Sequence, residues 1–328
     1  MKVPKSIGKI VLLSLILNIF IASNLNAVWN GSDENSNQRA VPILMDARGN
    51  YCNGSGFLYT SRIVFTVAHG IYKGDDRKSE PLTKFEKLWV GPPGQKVALD
   101  SKRVESVKIL IPENYKGRTY WLGGKRMNRE NDFAIIILKE PIPTDDKPVE
   151  LLTPELHDKY IANSEEINLK GYGANDANSL NRTCDLITPR SMVSKIASKS
   201  ESVPGLEWTA RLNFKVGVQQ PNICDGDSGA GYVKILPDKY IYLGAQSSSI
   251  NNHNCMSYEP ASQNETLNGT DPVYLYLDLV KQAEEYVKAN PYVAPAVKKT
   301  IKCVKGKKSI KVRNENPTCP KGYKEKMT

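Results

Sequence analysis

A serine flanked by glycines is the strongest candidate for chemistry in this chain of 328 residues. Ser228 lies in the run 224–231, with the sequence CDGDSGAG. A serine hydroxyl is a poor nucleophile unless a neighbouring base takes its proton. The glycines allow a sharp turn that exposes backbone N–H groups, and such donors stabilise the oxyanion formed when a carbonyl is attacked. Taken alone, the run is also typical of an ordinary turn.

Two further patterns supply a base and an acid. His69 directly follows the apolar run 63–67, so a strand would hold its imidazole in place. Asp132 stands at the head of the apolar run 133–138, where a buried carboxylate needs partners. Each has a plain interpretation alone, as a buried structural histidine and a strand-capping aspartate. The conjunction of these two patterns with Ser228 is therefore more informative than any one of them.

The elements that position these residues are predicted to be β-strands. Runs rich in β-branched and aromatic residues, bounded by turn formers, predict strands at 56–59, 63–67, 104–110, 133–138, 166–170, 209–216, 231–236 and 240–245. Helical spacing of apolar residues is clear only at 277–288. The chain is therefore predicted to be all-β, a barrel or sandwich, with a C-terminal amphipathic helix.

The three patterns, in the order His, Asp, Ser, resemble the signatures of the trypsin/chymotrypsin family. These are an Ala-His motif, an Asp before an apolar strand, and Gly-Asp-Ser-Gly. The resemblance covers about residues 28–290 and implies two packed antiparallel six-stranded β-barrels, divided near residue 150, with His69, Asp132 and Ser228 in the cleft between them. It also implies an oxyanion hole formed by the N–H groups of Gly226 and Ser228.

The resemblance implies a serine endopeptidase that cleaves protein or peptide substrates through an acyl-enzyme, with no cofactor. Two alternatives stay open: a catalytically silent member that binds a protein or cell-surface partner, and an esterase or acyl-transfer enzyme that uses the same triad. No Cys-x-x-Cys pair occurs and the chain has three histidines, so no metal site is expected.

The amino terminus has the features of a secretory signal. Three lysines precede the apolar run 10–22, and small residues follow up to Ala27. The run is shorter than the about 20 residues of a membrane-spanning helix, and no later segment is apolar enough to form a transmembrane anchor. Residues 1–27 are therefore predicted to be a signal peptide, and the mature protein to be secreted, extracellular or associated with the cell envelope.

Cleavage after Ala27 would create a new terminus at Val28, with the sequence VWNG. This start is similar to the Ile-Val-Gly-Gly terminus of family members, whose α-ammonium pairs with the Asp before the nucleophile. Asp227 holds that position. The resemblance therefore implies a Val28–Asp227 activation pair created by signal cleavage itself, or else that residues 28–31 are a leader piece removed later.

The predicted specificity pocket departs from the family pattern. Its candidate residues are Asn222, Ser247, Ser249 and Asp271. By alignment on Ser228, Asn222 replaces the Asp that binds Lys or Arg in trypsin-like members. The serines replace a Ser-Trp-Gly segment, and Asp271 could approach from the far wall. The resemblance thus implies a polar, restricted pocket, whose cleavage specificity stays open.

Export would place the six cysteines in an oxidising compartment, which favours disulfides. The expected pairs are Cys224–Cys255, Cys303–Cys319 and Cys52–Cys184. The first fits the family's disulfide beside the pocket, and the second brackets a tail too small to hold together without a crosslink. The third pair is what remains, because Gly70 stands where the family has the partner of Cys52. The residue order allows this pairing but does not require it.

The basic charge of the chain is concentrated in its tail. Residues 297–328 hold eleven Lys and Arg against two Glu, a net charge of +9, whereas residues 28–296 are close to neutral. Nucleic-acid binding by the body is therefore not expected. The charge of the tail could attract an anionic cell-envelope surface, and a solvated basic appendage is the alternative.

The tail is predicted to be a separate small module. A proline-containing linker at 291–299 follows the helix, and the runs 300–304 and 309–313 could pair as a hairpin. Residues 300–328 resemble a short C-terminal module of secreted bacterial proteins. The predicted domains are therefore a signal peptide, a protease domain at 28–290, the linker and this basic tail.

Overall fold

The chain divides into two compact units, residues 1–289 and 290–328. The computed structural model describes residues 31–32, 38–45, 52–73, 83–94, 102–115, 120–122, 125–127, 131–173, 189–199, 212–216, 223, 226–250, 266–296 and 298–326. Among them, no helix is long and apolar enough to cross a membrane.

The first half of the large unit is a closed antiparallel barrel. Its described strands are β1 Ala40–Leu44, β2 Cys52–Thr60, β3 Ile63–Thr66, β4 Tyr72–Lys73, β5 Thr83–Lys84, β6 Trp89–Val90, β7 Val104–Leu110, β8 Tyr120–Leu122, β9 Lys125–Met127 and β10 Ala134–Leu138. Six of them close the barrel in the order β1-β2-β3-β10-β7-β6. The pairs β4–β5 and β8–β9 are separate two-stranded ribbons.

The strand β10 explains why the sequence that follows Asp132 is continuously apolar. Ala134 and Ile136 belong to the barrel core, whereas Ile135 and Ile137 belong to a second core that also contains residues of the second sheet and the C-terminal helix. Since both faces of this strand are buried, apolar residues occupy every position rather than alternate ones. A rigid, doubly packed strand therefore begins two residues after Asp132.

The second half of the large unit is a second sheet with two helices. Its elements are β11 Val149–Leu151, α1 Pro154–Ala162, β12 Glu166–Gly171, β13 Arg190–Lys199, β14 Leu212–Val216, β15 Gly231–Ile235, β16 Tyr240–Ala245, β17 Ser248–Ile250, β18 Thr266–Thr270 and α2 Leu277–Ala289. The eight strands follow the order β11-β16-β15-β12-β13-β14-β18-β17. All neighbours are antiparallel except β11 and β16.

The predicted all-β class with a C-terminal helix is confirmed. The described second sheet has eight strands, one pair of them parallel, where the resemblance implied a six-stranded antiparallel barrel. Helix α1 was not predicted, although its start is marked in the sequence: the side chain of Thr153 caps the backbone N–H of Leu156, and Pro154 stands at the first turn.

The small unit is a disulfide-linked three-stranded sheet. Its strands are β19 Lys299–Lys305, β20 Lys308–Asn314 and β21 Lys324–Glu325, in the order β20-β19-β21. Gly306 has φ 57° at the first of the two residues that join β19 to β20, as a type II′ turn requires. The predicted Cys303–Cys319 disulfide is present.

Candidate active site

His69 is held directly after strand β3. The chain turns there through a 3-10 turn, Ala68–Ile71, and leaves the histidine only 7% exposed. Its backbone N–H donates to Asp132 Oδ1 at 2.8 Å, and ring atom Nδ1 lies 2.7 Å from Asp132 Oδ2. An ionised carboxylate can only accept, so Nδ1 carries the proton and Nε2 keeps its lone pair. This is the tautomer that a general base requires.

Asp132 is buried, and its carboxylate accepts a hydrogen bond from Ser247 in addition to those from His69. Its backbone N–H is a donor. Ser247 Oγ donates to Asp132 Oδ2 at 2.5 Å. The backbone N–H of Asp132 donates to Asp271 Oδ2 at 3.2 Å. Donors aimed at a buried carboxylate favour its ionised form and fix its orientation.

Ser228 lies in a turn that only glycines on either side permit. Gly226 has φ 94° and Gly229 φ 89°, both in the left-handed region. A Cβ at Gly229 would collide with Ser55 O and Thr66 Oγ1, so a larger residue would displace the turn from the barrel. The positive φ and the close packing therefore both require glycine at position 229.

The barrel strand β2 fixes the backbone on both sides of Ser228. Ser55 N donates to Ser228 O at 2.8 Å, and Ser55 Oγ donates to Gly226 O at 2.9 Å. The same Oγ accepts from Tyr172 N at 2.8 Å. One barrel serine therefore ties the Ser228 turn to the end of strand β12.

A chain of contacts connects the Ser228 turn to Asp132 and His69. Gly229 N donates to Gln246 O at 2.8 Å, and the next residue, Ser247, donates to Asp132. The structure thus brings Asp132 and His69 into direct contact. It places the Ser228 turn against β2 and against Gln246, the residue before Ser247. Between the described residues there is no hydrogen bond from Ser228 Oγ to His69. Such bonds often form only once substrate is bound.

The proposed oxyanion donors are in the same turn. Within the part of the chain that the structure describes, the N–H groups of Gly226 and Ser228 donate no hydrogen bond, whereas Gly229 N and Ala230 N both do. Two N–H groups of one turn without an internal acceptor can donate to a developing oxyanion.

Asp227 is fully buried beneath the turn. Gly173 N donates to Asp227 Oδ1 at 2.8 Å, and a Cβ at Gly171 or Gly173 would collide with the carboxylate. Nearby, burial raises the pKa of the Tyr232 hydroxyl well above its usual range, and the Asp227 carboxylate raises it further. Asp227 is therefore a closely packed, buried carboxylate, and a buried charge of this kind requires hydrogen-bonding or cationic partners.

The expected partner of Asp227, Val28, lies outside the described residues, but the chain just after it is fixed. Ser32 exchanges two backbone hydrogen bonds of 2.9 Å with Ser191, and the Arg190 side chain donates to Gly31 O. Arg190 is paired with Gly171, the residue against the Asp227 carboxylate. The described chain that follows Val28 is therefore anchored on β13, next to the strand that ends against the Asp227 carboxylate.

The four predicted pocket residues do not share one arrangement. Asn222 lies outside the described residues, and Ser249 is in β17, paired with Asn268. Ser247 and Asp271 are buried, and their side-chain oxygens contact Asp132. The predicted pairs of Cys52, Cys184, Cys224 and Cys255 fall where side chains are not described, so both pairs stay predictions.

Sequence reasoning did not identify the residues that support these groups. They are Ser55, Gly173, Gln246 and Tyr276. The run 54–56, with the sequence GSG, was a signal for close backbone approach, which its contacts with the Ser228 turn explain. Among the described residues, no group of three or more His, Cys, Asp or Glu could hold a metal ion.

Comparison with known proteins agrees with this geometry. The family model described as Trypsin matches residues 28–258, well over half of the chain. The matched region includes His69, Asp132 and Ser228. Comparison with curated proteins gives no significant match.

Proposed function

Because the chain belongs to the trypsin family, we propose that it is a secreted serine endopeptidase with His69, Asp132 and Ser228 as its catalytic residues. The single observation that carries this proposal is the buried His69, held by two hydrogen bonds to Asp132 beside a glycine-flanked serine turn. A histidine held only for packing does not need a carboxylate on both its backbone and its ring.

The reaction follows from these positions. Ser228 Oγ attacks the scissile carbonyl carbon while its proton passes to His69 Nε2, and the carbonyl oxygen becomes an oxyanion stabilised by the N–H groups of Gly226 and Ser228. When the C–N bond breaks, His69 gives the proton to the leaving amine. Water then attacks the acyl-enzyme by the same route and releases the acid. Asp132 stays ionised and stabilises the imidazolium throughout.

Active-site labelling tests the nucleophile. A fluorophosphonate should form one adduct, on Ser228, and Ser228→Ala should abolish labelling and lower turnover roughly 10⁴-fold or more while the protein stays folded. A folded wild type that is neither labelled nor active on a peptide library would support the catalytically silent alternative. Cleavage of esters but not of peptides would support an acyl-transfer enzyme.

We propose that Val28 supplies the ammonium partner of Asp227. The anchoring of Gly31 and Ser32 on β13 and the complete burial of the Asp227 carboxylate support this pairing. The mature protein should therefore begin at Val28, and an added residue before Val28 should suppress labelling of Ser228. An active mature protein that begins after residue 31 would contradict the pairing.

We further propose that the tail binds an anionic cell-envelope surface through one face of its sheet. Lys302 lies directly opposite Lys311, Thr300 opposite Arg313, and Val304 opposite Lys324. Cross-strand partners point to the same face, so Lys302, Lys311, Arg313 and Lys324 form one basic face. Glu325 is opposite Cys303 and therefore on the other face. The other face holds Lys299, Lys305 and Lys308 beside Glu325, so its net charge is lower than that of the basic face.

Two charge-matched variants test the basic face. They are Lys302→Ser/Lys311→Ser/Lys324→Ser on this face and Lys299→Ser/Lys305→Ser/Lys308→Ser on the opposite one. Retention on isolated anionic envelopes should fall about tenfold or more for the first and much less for the second, and high salt should remove the difference. Equal losses would show that net charge alone acts, and unchanged retention in both would favour a solvated appendage.

A further inference from the structure

The segment that leads into α2 holds Asp132 through its backbone. Asp271 Oδ2 accepts from Asp132 N at 3.2 Å and from the Tyr276 hydroxyl at 2.8 Å. The Tyr276 ring also stacks on Phe133, with 4.7 Å between ring centroids and 9° between planes. Two consecutive residues, Asp132 and Phe133, are thus held by one carboxylate and one aromatic ring.

The backbone at Asp132 depends on such support. Asn131 has φ 58°, a left-handed conformation that residues other than glycine adopt at a cost, and Phe133 N donates to Asn131 O at 2.9 Å. The pairing of β10 with its neighbours begins only at Ala134. Asp132 therefore sits in a tight turn outside the strand ladder, where its direction is set by side-chain contacts.

The position of Asp271 suits support of the Asp132 backbone and not contact with a substrate. It is 8% exposed and Tyr276 is 5% exposed. The oxygen Oδ2 already accepts two hydrogen bonds from the interior, one of them from the residue that orients His69. An oxygen that already accepts from Asp132 N and from the Tyr276 hydroxyl is directed to the interior, whereas recognition of a cationic side chain would require it to face the substrate.

We propose that Asp271 is a positioning residue that holds the Asp132 turn so that its carboxylate meets His69, and that it is not a specificity residue of the pocket. The proposal rests on the proposed function only in that His69 and Asp132 act in the reaction. Asp271 acts through Asp132 and touches neither substrate nor the reacting atoms.

The distinguishing measurement is a split between kcat and KM. Asp271→Ala should lower kcat about 10- to 100-fold with KM within about twofold, because a small misplacement of a catalytic group has an effect of this size. Asp271→Asn keeps a side-chain oxygen that accepts from Asp132 N, so it should recover most of the activity. Tyr276→Phe removes only the hydroxyl and should produce a smaller loss of kcat.

A double-mutant cycle with Asp132 identifies the route of the effect. If Asp271 acts through Asp132, Asp271→Ala should have almost no further effect on kcat in an Asp132→Ala background. A merely structural role would lower the Tm by the same amount in both backgrounds and would leave the kcat of the folded fraction unchanged. Asp278→Ala, an exposed acid in the first turn of α2, is the matched control and should leave kcat unchanged, with at most the small loss of Tm that follows removal of a charge at a helix N-terminus.

Several results would overturn the assignment. One is full additivity with Asp132→Ala, and another is a kcat for Asp271→Ala equal to that of the control. A loss confined to KM for substrates with Lys or Arg at the cleaved bond would return Asp271 to the pocket. If Asp271→Ala does not fold, Tyr276→Phe carries the same comparison. Wild-type labelling at Ser228 is measured alongside, so a failure of the proposed function is seen separately.

Discussion

Replacing Ser247 with Ala should weaken both catalysis and the fold by amounts that its contacts set. Its Oγ is buried and donates to Asp132 Oδ2 at 2.5 Å. A hydrogen bond to a charged group contributes about 1.5–3 kcal/mol, and its removal leaves a buried carboxylate with one donor fewer. We therefore expect the free energy of unfolding to fall by about that amount, which lowers Tm by roughly 3–12 °C in a domain of this size.

The effect on turnover should be intermediate. His69 keeps both of its bonds to Asp132 in this variant, so the loss in kcat should be roughly 10- to 100-fold, well short of the about 10⁴-fold that follows loss of the acid itself. KM should change little, because Ser247 Oγ is directed to Asp132. The assay is hydrolysis of a peptide substrate, paired with thermal unfolding of the same sample.

Ser194→Ala is the matched control. Ser194 is also a buried serine, and its hydroxyl has no hydrogen-bond partner within the described part of the chain. Both variants remove one oxygen from the interior, but only one removes a donor from Asp132. Ser194→Ala should leave kcat unchanged and should not destabilise the fold, because a buried hydroxyl without a partner is itself unfavourable. If the two variants behave alike, the reasoning about support of Asp132 is wrong.

Three further predictions address other contacts. Gly173→Ala puts a Cβ 2.6 Å from Asp227 Cγ, so unfolding should show a loss of about 1–3 kcal/mol and labelling of Ser228 should slow. A hydrogen bond from Lys234 lowers the pKa of Glu165, so this pair stabilises the fold above the unfolded-state pKa and loses its effect as the pH falls through the folded-state pKa. In denaturation experiments, Lys234→Met should cost about 0.2–1 kcal/mol at pH ~7 and progressively less on acidification. Cys303→Ser opens a link across 16 positions, which should destabilise the tail by about 3 kcal/mol and speed amide exchange along β19.

Much of the fold was predictable because it is encoded locally. The β-branched, apolar run at 133–138 predicted a strand, and β10 is a strand whose residues are all buried. The helix at 277–288 and the hairpin of the tail were likewise predictable, because the residues that determine them are close together in the sequence. Helix α1 was missed although its cap was visible, since its nine residues show only a weak apolar stripe.

The contacts that complete the candidate site could not be read from local patterns. Ser55 reaches Gly226 across 171 positions, and Asp132 reaches Asp271 across 139. Nothing in the residues around Asp271 distinguishes a carboxylate that faces a pocket from one that faces a backbone N–H. The difference depends on how the residue after β18 packs against the turn before β10, and packing between distant segments is not visible in local sequence.

The supports of the site cross between the two halves of the large unit. The barrel serine Ser55 fixes the turn of Ser228, which belongs to the second half, and Ser247 of the second half fixes Asp132 of the barrel. Each half therefore orients a residue of the other, so neither half alone can hold the proposed triad in place. As denaturant is added, turnover should therefore be lost as soon as the halves separate, and before the barrel itself unfolds wherever the two transitions differ. Turnover and far-ultraviolet circular dichroism, measured in parallel, test this order. Activity that persists after the halves separate would contradict this reciprocal support.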